Sequence, residues 1–229
     1  MKLENLRQGV ARVARQLIES GLVTGTSGNV SVRTPEGDVL VTPSGIDYEV
    51  LEPEDVVLVD LEGRVLDGSL GPSTEAPMHT GIYRARPEVG AVVHTHSRYA
   101  TTLACLGWEI PPIHYMLTTL SDEGRIPLAP YATYGTEELA GYAGEALGEN
   151  RKACLLRNHG TITVGENPDE AFSRAVVLEE MAEIYYRARV AGEPVLLSSG
   201  QVEEVATKIS GYGQAKPAST DNQVQTDKS

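Results

Sequence analysis

Hydrophobic positions recur at helical spacing near the start of the chain. Between residues 3 and 20, aliphatic side chains fall every three or four positions, and Gly21 follows as a stop signal. After a loop of small residues, two short aliphatic runs at 30–33 and 39–41 flank a Pro-Glu-Gly-Asp turn. This pattern predicts a first helix followed by a β-hairpin.

The rest of the chain alternates between strand-like and helix-like segments. Strands are predicted over 56–59, 91–96 and 153–157, and helices over about 75–86, over about 99–106 and from 136 onward. The last helix has the strongest signals, because Asn167 can cap it, Pro168 suits its first turn and Gly192 closes it. Alternating strands and helices predict one layered α/β domain.

The end of the chain has a different composition. From about Gly213 onward it is polar and rich in small residues, and such a segment cannot build a hydrophobic core. We therefore expect a single domain over residues 1–212 and a disordered tail over 213–229.

Composition and charge exclude several classes of function. The 229 residues are 41% hydrophobic and 22% charged, which is typical of a globular protein. A formal net charge of −13 argues against non-specific binding to nucleic acid, which uses basic surfaces. No run of 18 apolar residues that could span a membrane occurs, and no secretory segment precedes the first helix, so we expect a cytoplasmic protein. Cys105 and Cys154 have apolar neighbours and are expected to be buried, inert thiols.

Two histidines end a short apolar run in the segment Ala-Val-Val-His-Thr-His. Side chains alternate along a strand, so His94 and His96 point to the same face and can reach one ion. A His-x-His pair is also common on exposed strands that bind nothing. The pair alone therefore leaves both interpretations open.

A third histidine changes the balance. His159 follows the strand-like run at 153–157, and sites in α/β proteins are built at strand ends. Three protein ligands with one open position are the pattern of catalytic zinc, whereas structural zinc sites close with four ligands and usually use cysteine. The sequence therefore predicts a catalytic divalent metal.

Three loops combine hydroxyl groups, an amide and glycines. They are Thr26-Ser27-Gly28-Asn29, Thr42-Pro43-Ser44-Gly45 and Ser73-Thr74. Such loops can present backbone N–H groups and hydroxyls to an oxyanion, although each one alone is more often an ordinary turn. None matches the sequence patterns of nucleotide-binding loops.

Glu75 directly follows the third loop, at the start of a predicted helix. A glutamate at this position often stabilises the helix dipole at the protein surface. Here it would lie beside a phosphate contact, which makes a role near the metal a second interpretation.

Taken together, these segments resemble the class II aldolase and adducin family, and within it the L-fuculose-1-phosphate aldolases. The matching segments follow the family order across about residues 5 to 195: 25–33, 42–46, 73–75, 94–96, 113–116, 129–136 and 159–160. The resemblance implies a three-layer α/β/α fold around a mostly antiparallel sheet. It also implies a homotetramer with active sites between subunits.

The resemblance assigns roles to individual residues. His94, His96 and His159 become the ligands of one Zn²⁺ (or another divalent cation) per subunit, with Glu75 as a fourth resting ligand and as the acid/base. The phosphate of the substrate would bind to Ser27, Gly28, Asn29, Thr42, Ser44, Gly45, Ser73 and Thr74. Tyr115 would act in catalysis from across a subunit interface, and Tyr212 would help to close the site.

Two positions depart from the family pattern. Thr74 stands where many members carry serine, which keeps a hydroxyl group. Tyr134 stands where phenylalanine is common, and this change could alter the aldehyde pocket.

The implied reaction is metal-dependent retro-aldol cleavage of a ketose 1-phosphate. We expect L-fuculose 1-phosphate as the substrate, with dihydroxyacetone phosphate and L-lactaldehyde as the products. The five lysines lie in polar or terminal settings, which disfavours a Schiff-base mechanism.

Related functions remain as alternatives. L-Ribulose-5-phosphate 4-epimerases of the same superfamily usually carry aspartate where Glu75 stands. A dehydratase of methylthioribulose 1-phosphate would share the metal and phosphate groups. An adducin-like binding module would keep the fold but lack the metal ligands, so the three histidines argue against it.

Overall fold

A computed structural model, which describes residues 3–210, places one mixed β-sheet between two layers of helices. Tyr212 and the tail predicted over 213–229 lie outside the described residues. No helix in the described part of the chain combines the length and the apolar character needed to cross a membrane.

The described residues form six α-helices and eight strands. The helices are α1 (Glu4–Glu19), α2 (Ala76–Ala85), α3 (Arg98–Leu106), α4 (Glu137–Leu147), α5 (Pro168–Ala191) and α6 (Ser199–Ser210). The strands are β1 (Asn29–Arg33), β2 (Val39–Val41), β3 (Val57–Val59), β4 (Val65–Asp67), β5 (Ala91–Thr95), β6 (Leu128–Ala129), β7 (Ala153–Leu156) and β8 (Gly160–Gly165).

The strands are ordered β4-β3-β2-β1-β5-β8-β7-β6 across the sheet. Every neighbouring pair is antiparallel except β6 and β7, which are parallel. The expected α/β fold with a mostly antiparallel sheet is therefore confirmed. At the centre, Asn29 of β1 pairs with His94 of β5, and His94 also pairs with Ile162 of β8.

The two faces of the sheet bury different helices. Helices α2 and α4 pack on the face of the sheet that carries Val92. Helices α1 and α5 pack on the opposite face, which carries Ala91 and Val93. Because side chains alternate along β5, His94 lies on the same face as Val92 and points towards α2. This alternation directs the metal-binding candidates to the helix that Glu75 precedes.

The predicted cap at Asn167 is present, and Thr136 caps α4 in the same way. The Asn167 side chain accepts a hydrogen bond from Glu170 N at 3.0 Å, and the Thr136 hydroxyl accepts one from Leu139 N at 3.2 Å. Each bond satisfies a backbone N–H group that the first turn of a helix leaves without a partner.

The prediction for one cysteine is wrong. Cys154 is buried in β7 as expected, but Cys105 is exposed on α3. The buried side of α3 carries Ala100, Leu103 and Ala104, and the next residue turns about 100° away from them. Apolar neighbours in sequence therefore did not indicate the direction of the Cys105 side chain.

Candidate metal centre and active site

Glu75 occupies the N-cap position of α2 but does not cap this helix with its side chain. Its backbone N–H group donates instead to Ser73 Oγ at 3.2 Å. The carboxylate is thus free to turn towards the sheet, where its Oε2 accepts a hydrogen bond from Asn29 Nδ2 at 2.9 Å. Only 7% of the Glu75 surface is exposed. A buried carboxylate is costly in its ionised form unless neighbouring groups pair with it or donate hydrogen bonds to it.

Three histidines converge on this carboxylate from two places in the sheet. His94 lies within β5, His96 follows its end, and His159 lies in the tight turn between β7 and β8. Glu75 Oε2 is 3.1 Å from His94 Nε2, and Glu75 Oε1 is 3.1 Å from His159 Nε2. The Nε2 atoms of His94 and His96 are 2.9 Å apart.

The backbone sets the tautomer of His94. Its Nδ1–H group donates to the carbonyl oxygen of Thr161 at 2.8 Å, which leaves the lone pair on Nε2. A hydrogen bond of this kind from the far ring nitrogen is what orients histidine ligands of metals. When its ring is neutral, His94 therefore presents Nε2 to the cluster as a ligand atom.

The donor set fits a divalent cation. Glu75, His94, His96 and His159 each offer one ligand atom, and these atoms lie within 4.8 Å of one another. Ligand atoms at about 2.0–2.1 Å from a tetrahedral zinc ion lie roughly 3.3–3.4 Å apart, close to the distances between these groups. In addition, Glu75 Oε1 is buried and has no hydrogen-bond partner within the described structure. A bound cation would satisfy this oxygen.

Charge and burial set the protonation states of the cluster. Burial acts to raise the pKa of Glu75, but the imidazoles of His94 and His159 outweigh it and hold this pKa well below its ordinary value. Burial, reinforced by His94 and His159, lowers the pKa of His96 to about 4. An ionised carboxylate and a neutral imidazole are the states that coordinate metals.

Gly160 lets the turn at His159 approach the other imidazoles. A Cβ atom at this position would collide with the carbonyl oxygen of Thr95 and lie 2.8 Å from His96 Cδ2. The absence of a side chain at Gly160 is therefore required for the three histidines to meet.

The turn that follows His96 is fixed from a distant helix. Both carboxylate oxygens of Glu179 in α5 accept backbone hydrogen bonds at the start of α3, from Tyr99 N at 2.8 Å and Ala100 N at 2.9 Å. A carboxylate at this end of a helix also interacts favourably with the helix dipole. No local sequence pattern indicates this role of Glu179, because its partners are about 80 positions away.

A cavity of about 360 Å³ lies beside the cluster, and the predicted phosphate loops line it. Seven of the eight residues predicted to bind phosphate contribute to its wall: Ser27, Gly28, Asn29, Ser44, Gly45, Ser73 and Thr74. Glu75, His96 and His159 line the same cavity. The structure thus brings the candidate metal ligands and the candidate phosphate loops together.

Thr42 is the one of these eight residues that the structure places away from the cavity wall. It is fully buried and does not line the cavity, and its hydroxyl accepts a hydrogen bond from Val30 N at 3.2 Å. Thr42 follows β2 with its side chain directed into the core beneath Tyr48, whose hydroxyl lies 3.4 Å away. Its place in the loop motif is thus explained by the packing of the hairpin.

The loop hydroxyl groups are not equally available to a ligand. Ser27 Oγ donates to Thr24 O at 2.8 Å and so holds its own turn. Within residues 3–210, the hydroxyls of Ser44 and Thr74 have no hydrogen-bond partner, and the same holds for Thr26, which the sequence analysis did not select. These three hydroxyls can therefore bind an oxyanion without breaking an existing bond.

The described wall of the cavity contains no lysine or arginine. A phosphate in this cavity would be bound by neutral hydroxyl, amide and N–H donors. A cation at the histidine cluster would add positive charge beside such a phosphate.

The tyrosines differ in their position. Tyr131 and Tyr134 line the cavity and are more than half exposed, whereas Tyr115 is 50% exposed and does not line it. Tyr115 begins a short 3-10 helix, Tyr115–Thr119, and its ring lies 4.7 Å from that of His114. Within one protomer, Tyr115 is thus not brought to the site.

Asn158 is a further cavity residue that the sequence analysis passed over. It precedes His159 and has a left-handed backbone with φ of 54°, a conformation that asparagine adopts more readily than most residues. The Asn-His-Gly sequence after β7 is typical of a tight turn, and this pattern could have indicated Asn158.

Comparison with known proteins agrees with this architecture. Residues 8–186 match the family described as Class II Aldolase and Adducin N-terminal domain. The 5-deoxy-D-ribulose 1-phosphate aldolase of Bacillus thuringiensis serovar kurstaki is 43% identical over 215 residues, which are 93% of this chain and 100% of that protein. The L-fuculose phosphate aldolase of Escherichia coli K12 is 40% identical over 210 residues, or 88% of this chain and 96% of that protein.

A solved structure of an L-fuculose 1-phosphate aldolase is also similar. It is 38% identical, with a TM-score of 0.87, and the match covers 92% of this chain and 98% of the other. The family match spans most of the chain, and both curated relatives align over nearly their full length. This chain belongs to the class II aldolase and adducin family.

Proposed function

We propose that this protein is a metal-dependent aldolase that cleaves a ketose 1-phosphate into dihydroxyacetone phosphate and a short aldehyde. One observation carries the proposal: Glu75, His96 and His159 line a cavity with loops rich in free hydroxyls, and His94 completes their cluster behind the cavity wall. A metal and a phosphate site side by side suit a substrate whose phosphate lies close to its reacting carbon atoms.

The metal would be held by His94, His96 and His159, with Glu75 as a fourth ligand in the resting enzyme. When bound, a divalent cation such as Zn²⁺ supplies a Lewis acid that withdraws electron density from the carbonyl group of the substrate. The described cavity wall has no lysine that could form a Schiff base instead.

Glu75 is proposed as the acid/base of the reaction. In the condensation direction, its carboxylate removes a proton from the hydroxymethyl carbon of dihydroxyacetone phosphate. In the cleavage direction, it returns this proton. Its low pKa keeps it ionised at neutral pH, and the Asn29 amide fixes its orientation.

The phosphate group is proposed to bind to the loops at the other side of the cavity. Ser44, Thr74 and Thr26 offer hydroxyl groups that have no partner in the described structure. Asn29 offers the second N–H of its amide, because the first already donates to Glu75. This placement orients the substrate with its reacting carbon near Glu75.

Tyr115 is proposed to act from a neighbouring subunit of a cytoplasmic homotetramer. It would protonate the alkoxide that forms at the aldehyde carbon in condensation and deprotonate the matching hydroxyl in cleavage. Its exposure and its position outside the cavity support a role across an interface. Tyr212 is proposed to help close the site.

The aldehyde half of the substrate is proposed to be L-lactaldehyde, with L-fuculose 1-phosphate as the sugar. Tyr134 and Asn158 support this choice, because they line the cavity with a hydroxyl and an amide that can bind the additional hydroxyl of lactaldehyde. A 5-deoxyribulose 1-phosphate is the second candidate, since a relative with 43% identity is named for that activity. Its cleavage would release acetaldehyde, which lacks this hydroxyl.

The test is condensation of dihydroxyacetone phosphate with L-lactaldehyde and with acetaldehyde, using purified protein and added zinc. We expect product with both and a higher kcat/KM with L-lactaldehyde. A higher kcat/KM with acetaldehyde would instead identify 5-deoxyribulose 1-phosphate as the substrate. No product with any short aldehyde, together with epimerisation of ribulose 5-phosphate, would replace the aldolase by an epimerase.

A further inference from the structure

A chain of buried polar side chains leads from Glu75 through Asn29 to His79, Ser31 and Tyr83, and the last three do not line the cavity. Helix α2 places Glu75, His79 and Tyr83 four residues apart, so the three share one stripe along the helix. The facing strand β1 places Asn29 and Ser31 two residues apart on one face. The two sets interleave between the helix and the sheet.

The contacts along this chain are continuous. Asn29 Nδ2 donates to Glu75 Oε2 at 2.9 Å, and Asn29 Oδ1 lies 2.5 Å from His79 Nε2. The other ring nitrogen of His79, Nδ1, is 2.6 Å from Ser31 Oγ, which is 2.8 Å from the hydroxyl of Tyr83. His79 and Ser31 are completely buried and Tyr83 is 1% exposed.

Chemistry fixes the direction of every hydrogen bond in this chain. The ionised carboxylate of Glu75 only accepts, so the Asn29 amide must turn its NH₂ group towards it. Asn29 Oδ1 then faces His79 and accepts, which places the proton of the imidazole on Nε2. His79 Nδ1 is left to accept from the Ser31 hydroxyl, and Ser31 in turn accepts from Tyr83.

The opposite direction is unfavourable. If His79 carried its proton on Nδ1, its Nε2 would accept, and the Asn29 amide would have to rotate. Asn29 Oδ1 would then face the Glu75 carboxylate, and two acceptors would oppose each other. A buried acceptor without a donor costs about 1–3 kcal/mol, and more where a charge is involved.

We propose that His79 is a positioning residue that, through Asn29, holds the carboxylate of Glu75 in its orientation towards the histidine cluster. Ser31 and Tyr83 hold His79 in the tautomer that this task requires. This inference rests on the proposed role of Glu75. It assigns supporting roles to His79, Ser31 and Tyr83, which neither line the cavity nor belong to the candidate metal ligands. His79 does not line the cavity, so it acts only through Asn29.

The direct test is the tautomer of His79 in metal-free protein, measured by ¹⁵N–¹H correlation of the histidine side chains. His79→Gln and Ser31→Ala assign the signals. We expect a protonated Nε2 and an unprotonated Nδ1. A proton on Nδ1 would overturn the proposal, and this measurement is independent of whether the protein is an aldolase.

The second test compares His79→Leu, His79→Gln and the control Ile82→Ala. Ile82 is also fully buried on α2 but belongs to the apolar core, so its truncation lowers stability without touching the polar chain. Zinc affinity is measured by competition with a chromophoric chelator. The constants kcat and KM are measured separately, at saturating zinc.

Leucine at position 79 removes the donor to Asn29. We expect zinc affinity and kcat to fall about 10–100-fold, as is typical when the partner of a metal ligand is lost. Glutamine can donate to Asn29 and accept from Ser31, so it should restore most of the loss. Ile82→Ala should unfold more easily but keep the zinc affinity and kcat of the wild type.

The outcomes separate the two proposals. If the wild type binds no zinc and has no aldolase activity, the proposed function fails. If the wild type is an active zinc enzyme and folded His79→Leu matches Ile82→Ala in zinc affinity and kcat, His79 is merely structural and the present inference fails.

Discussion

Glu75 Oε1 lies 3.1 Å from His159 Nε2, is buried, and has no hydrogen-bond partner among the described residues. A buried carboxylate oxygen without a donor is costly, and a bound cation would satisfy it. His94 and His96 complete a donor set around the same position.

Replacing Glu75 by glutamine should separate binding from chemistry. Glutamine keeps the shape of the side chain but cannot take a proton, so we expect kcat to fall by roughly 10²–10⁴-fold. Inhibition by inorganic phosphate should change little, because the hydroxyls of Ser44 and Thr74 are untouched. Steady-state kinetics with phosphate as a competitive inhibitor measures both effects. Turnover within a fewfold of the wild type would remove Glu75 from the acid/base role.

Tyr115→Phe should slow carbon–carbon bond cleavage more than exchange of the substrate proton that Glu75 removes. The exchange needs only the base, whereas cleavage also needs the tyrosine hydroxyl. Solvent deuterium uptake into dihydroxyacetone phosphate measures the exchange. Tyr131→Phe serves as the comparison, because Tyr131 is an exposed tyrosine that lines the cavity. Equal losses in exchange and cleavage would refute the assignment.

The position of Tyr115 outside the cavity has a further consequence for mixed assemblies. Subunits carrying Glu75→Gln and subunits carrying Tyr115→Phe are each nearly inactive alone. When refolded together, they should regain activity, since some interfaces would join an intact Glu75 to an intact Tyr115. No gain on mixing, with mixed assemblies verified by mass spectrometry, would place both groups in one protomer.

Thr74 and Thr42 should respond differently to the same substitution. Thr74→Val removes a free hydroxyl from the cavity wall, and we expect KM to rise at least tenfold, in line with about 1.5–3 kcal/mol for one bond to a charged group. Thr42→Val removes a buried hydrogen bond to Val30 and should lower the free energy of unfolding by about 1–2 kcal/mol with KM unchanged. Urea unfolding measures the free energy of unfolding, and steady-state kinetics measures KM. A raised KM in Thr42→Val would restore Thr42 to the phosphate site.

Gly160→Ala should disturb the metal site through the backbone. The added Cβ collides with Thr95 O and lies 2.8 Å from His96 Cδ2, so the turn at His159 must move. We expect zinc affinity to fall at least tenfold. Gly141→Ala in α4 is the control, because its Cβ meets no atom within 4 Å and should stabilise the helix by about 0.5–1 kcal/mol. Unchanged zinc affinity in Gly160→Ala would contradict the packing argument.

Periodic patterns predicted much of the fold. The predicted helices near residues 3–20 and 75–86 and the helix predicted between Asn167 and Gly192 are present. Each has an apolar stripe with a stop or capping residue at its end. The strands β4, β6 and β8 and the helix α6 were not predicted. The residues of β4 are exposed, and α6 has few buried side chains, so neither displays a clear apolar pattern.

The candidate site was predictable where the chemistry lies in local sequence. His94 and His96 are two residues apart, and Ser73, Thr74 and Glu75 are adjacent. Interactions between distant segments were not predictable from local pattern. The inward turn of Thr42 depends on how the hairpin packs on Tyr48, and the meeting of His79 with Asn29 depends on how α2 lies on β1.

The central claim is that Glu75 and the three histidines hold a metal that the reaction needs. The most direct measurement is aldolase activity of protein treated with EDTA, dialysed, and then titrated with zinc while bound metal is quantified. We expect activity below the detection limit after EDTA and its recovery at one zinc per subunit, with no recovery when His94 is replaced by alanine. Full activity of protein verified to be metal-free would contradict the account.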